Sequence, residues 1–300
     1  MSAHTLFVAP LIRAPAYAGA DCANCPSRQS CLPQGLDEAG AGRLAAIIPE
    51  RRRVLRGASL YRTGDSLRNV YAVRLGHFKT ERIDFSGTRR VTGFHASGDL
   101  LGTDAIGADQ HTCSAEALED SEVCVIPFQP LQELFGAEPA LRRRFHRIMS
   151  GAIIRDQISM SLLGTMPAEQ RLAAFFVNQS AFYEARGYSP NSFQLRMTRE
   201  DIASYLGLAI ESVSRMLLRL KNKAWLEVER RSVVIVEMAM LKALARGERA
   251  APMAGADAPH WSPLSEAAAA RAAPPAFDVP AAARLRWSGA TPAATPSRRA

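Results

Sequence analysis

Hydrophobic and polar positions change their period along this chain, and each change marks a new part. From about residue 36 to 135, short apolar stretches alternate with polar residues and end at turn signals. Val70-Tyr71-Ala72-Val73-Arg74 runs into Leu75-Gly76, and Arg90-Val91-Thr92-Gly93-Phe94 runs into Ala96-Ser97-Gly98-Asp99. Val123-Cys124-Val125-Ile126-Pro127-Phe128 has the same β-rich texture. Short strands with glycine punctuation predict a small antiparallel barrel or roll. From about Pro139 to Gly164 the period lengthens, and Met149, Ile153, Asp156, Met160 and Leu163 fall at 4-3-4-3 spacing. That is the seam of a coiled coil. A helix packed on its own domain would show the same period. Asp156 favours the dimer, because a carboxylate on an apolar seam makes sense as the element of a weak, switchable interface. Two such charges brought together out of water oppose association unless something compensates.

Residues 167–247 read as helices followed by a hairpin. Ala168 to about Ala185 is amphipathic through Leu172, Phe175, Phe176 and Ser180. Thr198-Arg199-Glu200-Asp201 starts a helix, with the Thr198 hydroxyl as cap and acidic residues in the first turn. Ile202, Ala203 and Leu206 face inward, and Gly207 makes a turn that needs positive φ. A second helix from about Ala209 to Lys223 buries Val213, Leu217 and Leu220. It exposes Glu211, Ser212, Ser214, Arg215, Arg219 and Lys221. Arg215 can donate two hydrogen bonds to guanine, Glu211 can accept from cytosine, and Ser214 permits close approach to a base edge. Arg219, Lys221 and Lys223 suit phosphates. Trp225 to Val236 then reads as two strands about a basic turn, a wing. A helix, a glycine turn, a helix and a wing together predict a reader of double-stranded DNA.

Composition fills in the ends. The N-terminal 35 residues are rich in Pro, Ala and Cys and lack periodicity. After about Gly247 the chain becomes Ala, Pro, Arg and Ser, which cannot bury enough surface to fold. Trp261 and Trp287 are the only features of that tail able to anchor a partner. The expected parts are a cysteine-rich lobe (1–35), a β-roll (36–137), a dimerisation helix (138–165), a winged helix-turn-helix (166–247) and a disordered tail (248–300). The overall class is α+β. With 47% hydrophobic residues in 300, real cores are affordable, and the formal charge of +8 favours a polyanionic partner. No apolar run is long enough to span a bilayer, and the N-terminus lacks the basic start of a secretory signal. These features lead us to expect a cytoplasmic protein without a membrane partner.

The candidate chemistry lies in the cysteines. There are five, an odd number that does not suit a disulfide framework. Cys22, Cys25 and Cys31 share one loop, C-x2-C-x5-C, and Cys124 lies most of a domain away. Zinc sites more often use two paired CxxC knuckles. A three-plus-one set suits a cubane iron–sulfur cluster, while zinc and purely structural thiols remain open on chemistry alone. No phosphate loop, nucleophile–base pair or zinc-hydrolase helix motif points to an enzyme. His77, His95, His111 and His146 are scattered.

Several stretches resemble one family. They are the cysteine loop, Thr92-Gly93-Phe94-His95 with Gly98-Asp99-Leu100-Leu101-Gly102, Asp104-Ala105-Ile106-Gly107, Val123 to Phe128, and Met149-Ser150-Gly151. Further matches are Glu169 to Phe175, Met197 to Leu208, and Glu211-Ser212-Val213-Ser214-Arg215. Over roughly residues 20–245 the chain resembles the FNR-type (fumarate and nitrate reduction) regulators of the CRP/FNR superfamily. The resemblance implies a cyclic-nucleotide-binding-like β-roll, a long dimerisation helix and a C-terminal winged helix-turn-helix. It implies that Cys22, Cys25, Cys31 and Cys124 ligate an oxygen-labile [4Fe-4S] cluster, which oxygen converts to a [2Fe-2S] form. It also implies a homodimer that binds a palindromic TTGAT-N4-ATCAA-type site only with the cluster intact, read by Glu211, Ser214 and Arg215. Asp156 matches the family's seam aspartate, and Ile153, Met160 and Arg142 would support the same interface. RNA polymerase would be a further partner, with the Ile83 to Thr88 turn as one contact. Activation or repression of anaerobic and microaerobic genes would follow.

Three features depart from the pattern. Cys113 has no family role and rivals Cys124 only by proximity. The motif around Cys124 favours Cys124, and Cys113 is expected to pack in the roll. Pro26 follows the second ligand and has no N–H to offer a cluster sulfur, so altered oxygen reactivity is expected. The Ala/Pro-rich tail is additional. The closest alternative is a CRP-like regulator gated by another small ligand or carrying structural zinc. Against a cyclic nucleotide, His111-Thr112-Cys113-Ser114 holds no arginine for the phosphate, and Ile210 stands where that branch has arginine.

Overall fold

Strand β9 (Ser121–Pro127) organises the N-terminal half because its two faces enter different cores. The computed structural model describes residues 17–84 and 87–248. The short β1 (Tyr17–Ala18) leads into turns that carry the loop cysteines, followed by α1 (Glu38–Ala46). Then come β2 (Glu50–Val54), β3 (Ser59–Tyr61), β4 (Asn69–Leu75), β5 (His77–Ile83), β6 (Arg89–Ala96), β7 (Leu100–Leu101), β8 (Ser114–Ala117) and β9. They form two antiparallel sheets, ordered β1-β2-β9-β4-β7 and β3-β8-β5-β6.

Alternation along the paired strands β4 and β9 separates two cores. Tyr71, Val73, Val123 and Val125 enter the roll with Tyr61 and Phe78. Val70, Ala72 and Ile126 turn the other way and pack with Cys22, Leu32, Leu44, Leu131 and Phe145. The period of two in a strand dictates this split, and because both faces are covered there, β4 is buried continuously from Val70 to Val73.

Helix α1 lies inside the segment expected to be roll, as a helix that the short strand pattern does not anticipate. Asp37 caps it by accepting a 2.7 Å hydrogen bond from Gly40 N, and only Gly40, Ala41 and Leu44 are buried. Its Ala/Gly composition leaves too few apolar residues to show a helical period. A second helix, α2 (Phe128–Ala137), also falls in the segment expected to be roll, and the long α3 (Pro139–Thr165) follows it. Glu138 between them has φ −123° and ψ 80°, as the following proline requires. Its buried carboxylate accepts from Arg43 of α1.

The C-terminal part comprises α4 (Ala168–Glu184), β10 (Ser192–Gln194), α5 (Arg199–Leu206), α6 (Ile210–Asn222), β11 (Leu226–Glu229), β12 (Ser232–Ile235) and α7 (Met238–Ala245). The wing has a third strand, in the order β10-β12-β11. Its core gathers Leu172, Phe176, Ile202, Val213, Leu220, Leu226 and Leu241. Trp261, Trp287 and the rest of the expected tail lie outside the described residues, apart from Glu248 at its start. Among the described residues no helix is long and apolar enough to cross a membrane.

Candidate cysteine site and DNA-reading surface

Cys22, Cys25, Cys31 and Cys124 line one small cavity, with Arg51 and Arg74 also on its wall. The strand parity described above puts Cys124 there. It lies on the face of β9 opposite Val123 and Val125 and packs against the core that includes Cys22, with Cys31 alongside. Cys113 packs instead against the roll interior, and its N–H donates to Asp104 Oδ2 at 3.2 Å. All five thiols are free.

The loop is shaped by its own hydrogen bonds and tied down by its neighbours. Arg28 N donates to Cys25 O at 2.9 Å and Cys31 N to Ser27 O at 3.0 Å. The Arg28 guanidinium donates to Ala23 O (2.9 Å) and Leu36 O (2.7 Å), drawing the lobe's two ends together. From α3, Arg144 donates to Cys31 O (3.1 Å) and Ser30 O (2.5 Å). Pro26 is exposed and contributes no donor.

Burial pushes the thiols of Cys22 and Cys31 up to about 12, and that of Cys124 to about 11. Proximity adds to the shift: Cys124 and Cys25 act on Cys22, and Cys25 acts on Cys124. Cys22, Cys31 and Cys124, three soft donors whose ionisation burial opposes, fit a cationic centre that displaces their protons. Glu122 holds both wall arginines, Arg74 at 2.9 Å and Arg51 at 3.7 Å. Among the described residues no three His, Cys, Asp or Glu side chains are grouped to hold a single metal ion.

The helix-turn-helix is built by local chemistry. Thr198 Oγ1 accepts from Asp201 N at 3.1 Å, and Asp201 Oδ2 accepts from Thr198 N at 2.8 Å, a reciprocal capping box. Gly207 ends α5 at φ +60°. Helix α6 buries Val213, Met216, Leu217 and Leu220. Glu211, Arg215, Arg219 and Lys221 are exposed, with Ser212 and Ser214 half-buried. Arg215 donates to Ser212 Oγ at 3.3 Å. Ala209 caps α6 without a side-chain hydrogen bond, which leaves first-turn N–H groups for an anion.

On α3, Ile153 is 55% exposed, Met160 74% and Leu163 42%, and Ile154 and Ile158 are also exposed. Asp156 and Arg142 are exposed as well, while Met149 is half-buried. A row of large apolar side chains left in water asks for a partner.

The pattern of the chain does not reveal the contacts between its halves. Asp201 Oδ1 also accepts from Lys79 Nζ of β5 at 2.9 Å, and Lys79 meets Glu81 at 2.7 Å. Burial works against the Lys79 charge, but these acidic partners outweigh it and hold its pKa above the ordinary lysine value. Ser204 Oγ accepts from Val91 N at 3.0 Å. No single-sequence signal links residues so far apart.

Residues 51–138 match the cyclic nucleotide-binding domain, and residues 170–244 match the Crp-like helix-turn-helix domain. The fumarate and nitrate reduction regulatory protein of Salmonella typhimurium strain LT2 is 43% identical over 224 residues, covering 75% of this chain and 90% of that protein. The chain belongs to the FNR-type regulators of the CRP/FNR family. Its counterpart in Escherichia coli K12 is 43% identical over 214 residues, covering 71% of this chain and 86% of that protein. Among solved structures, FixK2 from Bradyrhizobium japonicum is 26% identical with a TM-score of 0.59, covering 67% of this chain and 98% of that one. An FNR-type chain is a DNA-binding transcription regulator and not an enzyme. The roll, long helix and winged helix-turn-helix are the architecture of that family.

Proposed function

We propose that this regulator responds to oxygen through a [4Fe-4S] cluster held by Cys22, Cys25, Cys31 and Cys124. The observation that carries the reading is strand parity: Cys124 shares a cavity with the three loop thiols, while Cys113 is in the other core. Four thiols that line one cavity, three from a C-x2-C-x5-C loop and one from a distant strand, suit a multi-iron centre better than a zinc site, which more often pairs two CxxC knuckles. The bound cluster supplies an oxygen-labile core.

The protein's residues do the rest. The thiolates hold the loop in place, and Arg144 ties its Ser30 and Cys31 carbonyls to α3. Along α3, Ile153 and Met160 form the dimer seam with support from Arg142, and the paired Asp156 carboxylates oppose it. Ordering of the loop tips that balance towards the dimer. The dimer presents two copies of α6 to a palindromic TTGAT-N4-ATCAA-type site. Glu211, Ser214 and Arg215 read bases, and Ser212, Arg219 and Lys221 support them at the backbone. RNA polymerase is the partner on DNA, with the turn around Ile83 and Thr88 as one contact.

A cyclic nucleotide is not the signal in this reading. Tyr61 stacks on His111 at 3.9 Å inside the roll, with Tyr71 behind at 5.9 Å, and no arginine follows the Gly98-Asp99-Leu100 turn to hold a phosphate. Purification without air tests the proposal. A broad visible absorption band that bleaches on aeration, together with loss of DNA binding, is expected. Colourless protein with one zinc per chain would overturn it.

A further inference from the structure

The turn Ser97-Gly98-Asp99 between β6 and β7 touches two distant parts of the chain at once. On one side is the cysteine loop. Ser27 Oγ and Ser97 Oγ lie 2.6 Å apart, a hydrogen bond that either hydroxyl can donate, and Arg74 O, 2.8 Å from Ser97 Oγ and 3.2 Å from Ser27 Oγ, accepts from the hydroxyl whose proton is not used between them. Ser27 is buried, two residues beyond Cys25. Ser30 sits so close to Gly98 that a Cβ there would lie 2.1 Å from its Oγ, and Gly98 itself has φ +94°.

On the other side is the end of α4, in the DNA-reading half. Arg186 donates from Nη2 to Asp99 Oδ1 at 3.0 Å and from Nε to Ser97 O at 3.3 Å. Its guanidinium lies 3.6 Å from the Phe182 ring centroid and donates to Phe182 O at 3.2 Å. Arg186 and Asp99 side chains are only 17% and 21% exposed. A planar guanidinium held by a carboxylate, two carbonyls and a ring has little freedom to adopt another pose.

We propose that this turn is a relay within one chain. Order in the cysteine loop sets the turn through Ser27 and Ser97, and the turn sets the DNA-reading half on its own roll through Arg186. Arg186 is a positioning residue. The route runs through Ser27 and Ser97 rather than along α3, although Ser30, whose carbonyl Arg144 holds, also abuts Gly98, and it rests on the proposed function only for what loads the loop. Coupling of this kind has to be shown as reciprocity between the two ends, since adjacency alone is not evidence for it.

Hydrogen–deuterium exchange on the full chain, reduced and metal-free, provides that test. Ser27→Ala should speed exchange at residues 183–188 about fivefold, the effect of one hydrogen bond of ordinary strength. Arg186→Gln should speed exchange at residues 27–31 by a similar factor. A purely structural Arg186 would disturb its own surroundings and leave 27–31 at the wild-type rate, which would overturn the relay. If Arg186→Gln loosens β9 and α6 as well, the decision passes to Ser27→Ala and Ser97→Ala, and unchanged exchange at 183–188 in both refutes it. Anaerobic loading with iron and sulfide should slow exchange at 183–188 in wild type but not in Arg186→Gln. Protein that shows the reciprocity but takes up no iron would sink the cluster reading and leave the relay standing. Iron uptake without reciprocity would do the reverse.

Discussion

The cysteine lobe and the helix-turn-helix reach order by opposite means. Helix α5 carries its own capping box, α6 its own apolar stripe, and both close on a core drawn from residues 172–241 with Leu118 of the roll as its one outside member among the buried residues. Among its described residues the lobe has one two-residue strand and loop bonds, with helix α1 following it, and its fixed points are borrowed from Arg144, Ser97 and β9. Its buried thiols are uncharged and crowded when no cation accompanies them. The DNA reader is specified locally, whereas the cysteine lobe is specified by what surrounds it and, under the proposed function, by what fills it. That division suits a switch, because the responsive element is the one whose order depends on a removable component.

The largest expected effect separates the two regions directly. Cys124→Ser removes the one proposed ligand outside the loop, so bound iron should fall by roughly 100-fold or more. Limited proteolysis should still leave the segment around 168–245 intact. Loss of the C-terminal core in that variant would break the comparison. Asp156→Ala bypasses the lobe. Relief of the seam repulsion should tighten the dimer by on the order of 2–3 kcal/mol, roughly 100-fold, giving a DNA-binding dimer in air. Sedimentation showing an aerobic monomer would count against the seam.

Arg215→Ala inverts the first experiment. Base preference at one position should relax by about 1–3 kcal/mol, read by binding to single-base operator variants, while iron content stays at the wild-type level. Equal loss on every operator would reduce Arg215 to a phosphate contact.

The smallest effect probes the contact between the halves through pH. Burial raises the Asp201 carboxyl, but the Thr198 N–H and Lys79 outweigh it, so its folded pKa lies below 3.8. A depressed carboxylate contributes stability that is present above 3.8 and lost as pH falls through the folded value. Lys79, held above 10.5, contributes below that value and loses it only as pH rises through its folded pKa. The pair is therefore intact at neutral pH. Asp201→Asn keeps a cap but loses the ion pair, so it should lower the urea-derived stability by about 1 kcal/mol at pH 7. The gap should close below pH 4. A constant gap from pH 7 down to 3 would mean that the ion pair contributes nothing.

What could be read in advance follows the same division. Period-two strands, the seam of α3, the Thr198 cap and the Gly207 turn are local signals, and each names its own element. Helix α1 escaped because Glu38–Ala46 buries mainly glycine, alanine and one leucine. The break at Glu138 is visible only in the proline after it. Lys79 on Asp201, Arg144 on the Cys31 carbonyl and Arg186 on Asp99 join residues separated by 122, 113 and 87 positions. Such pairs leave no periodic trace in a single sequence. The four cysteines were nameable as candidate ligands from spacing and motif. Their enclosure with two arginines is a product of packing.

Strand β9 leaves the chain with an arithmetic constraint. Cys124 pairs with Ala72 on β4 and Arg51 on β2, and its face depends on whether its distance from the strand's anchors is odd or even. A single residue inserted between Ser121 and Cys124, with the pairing otherwise kept, would turn the thiol into the roll and offer valine to the lobe. Two residues would restore the face while moving it about one strand step along the sheet. The tolerance of this regulator to insertion is therefore a matter of parity before it is a matter of length.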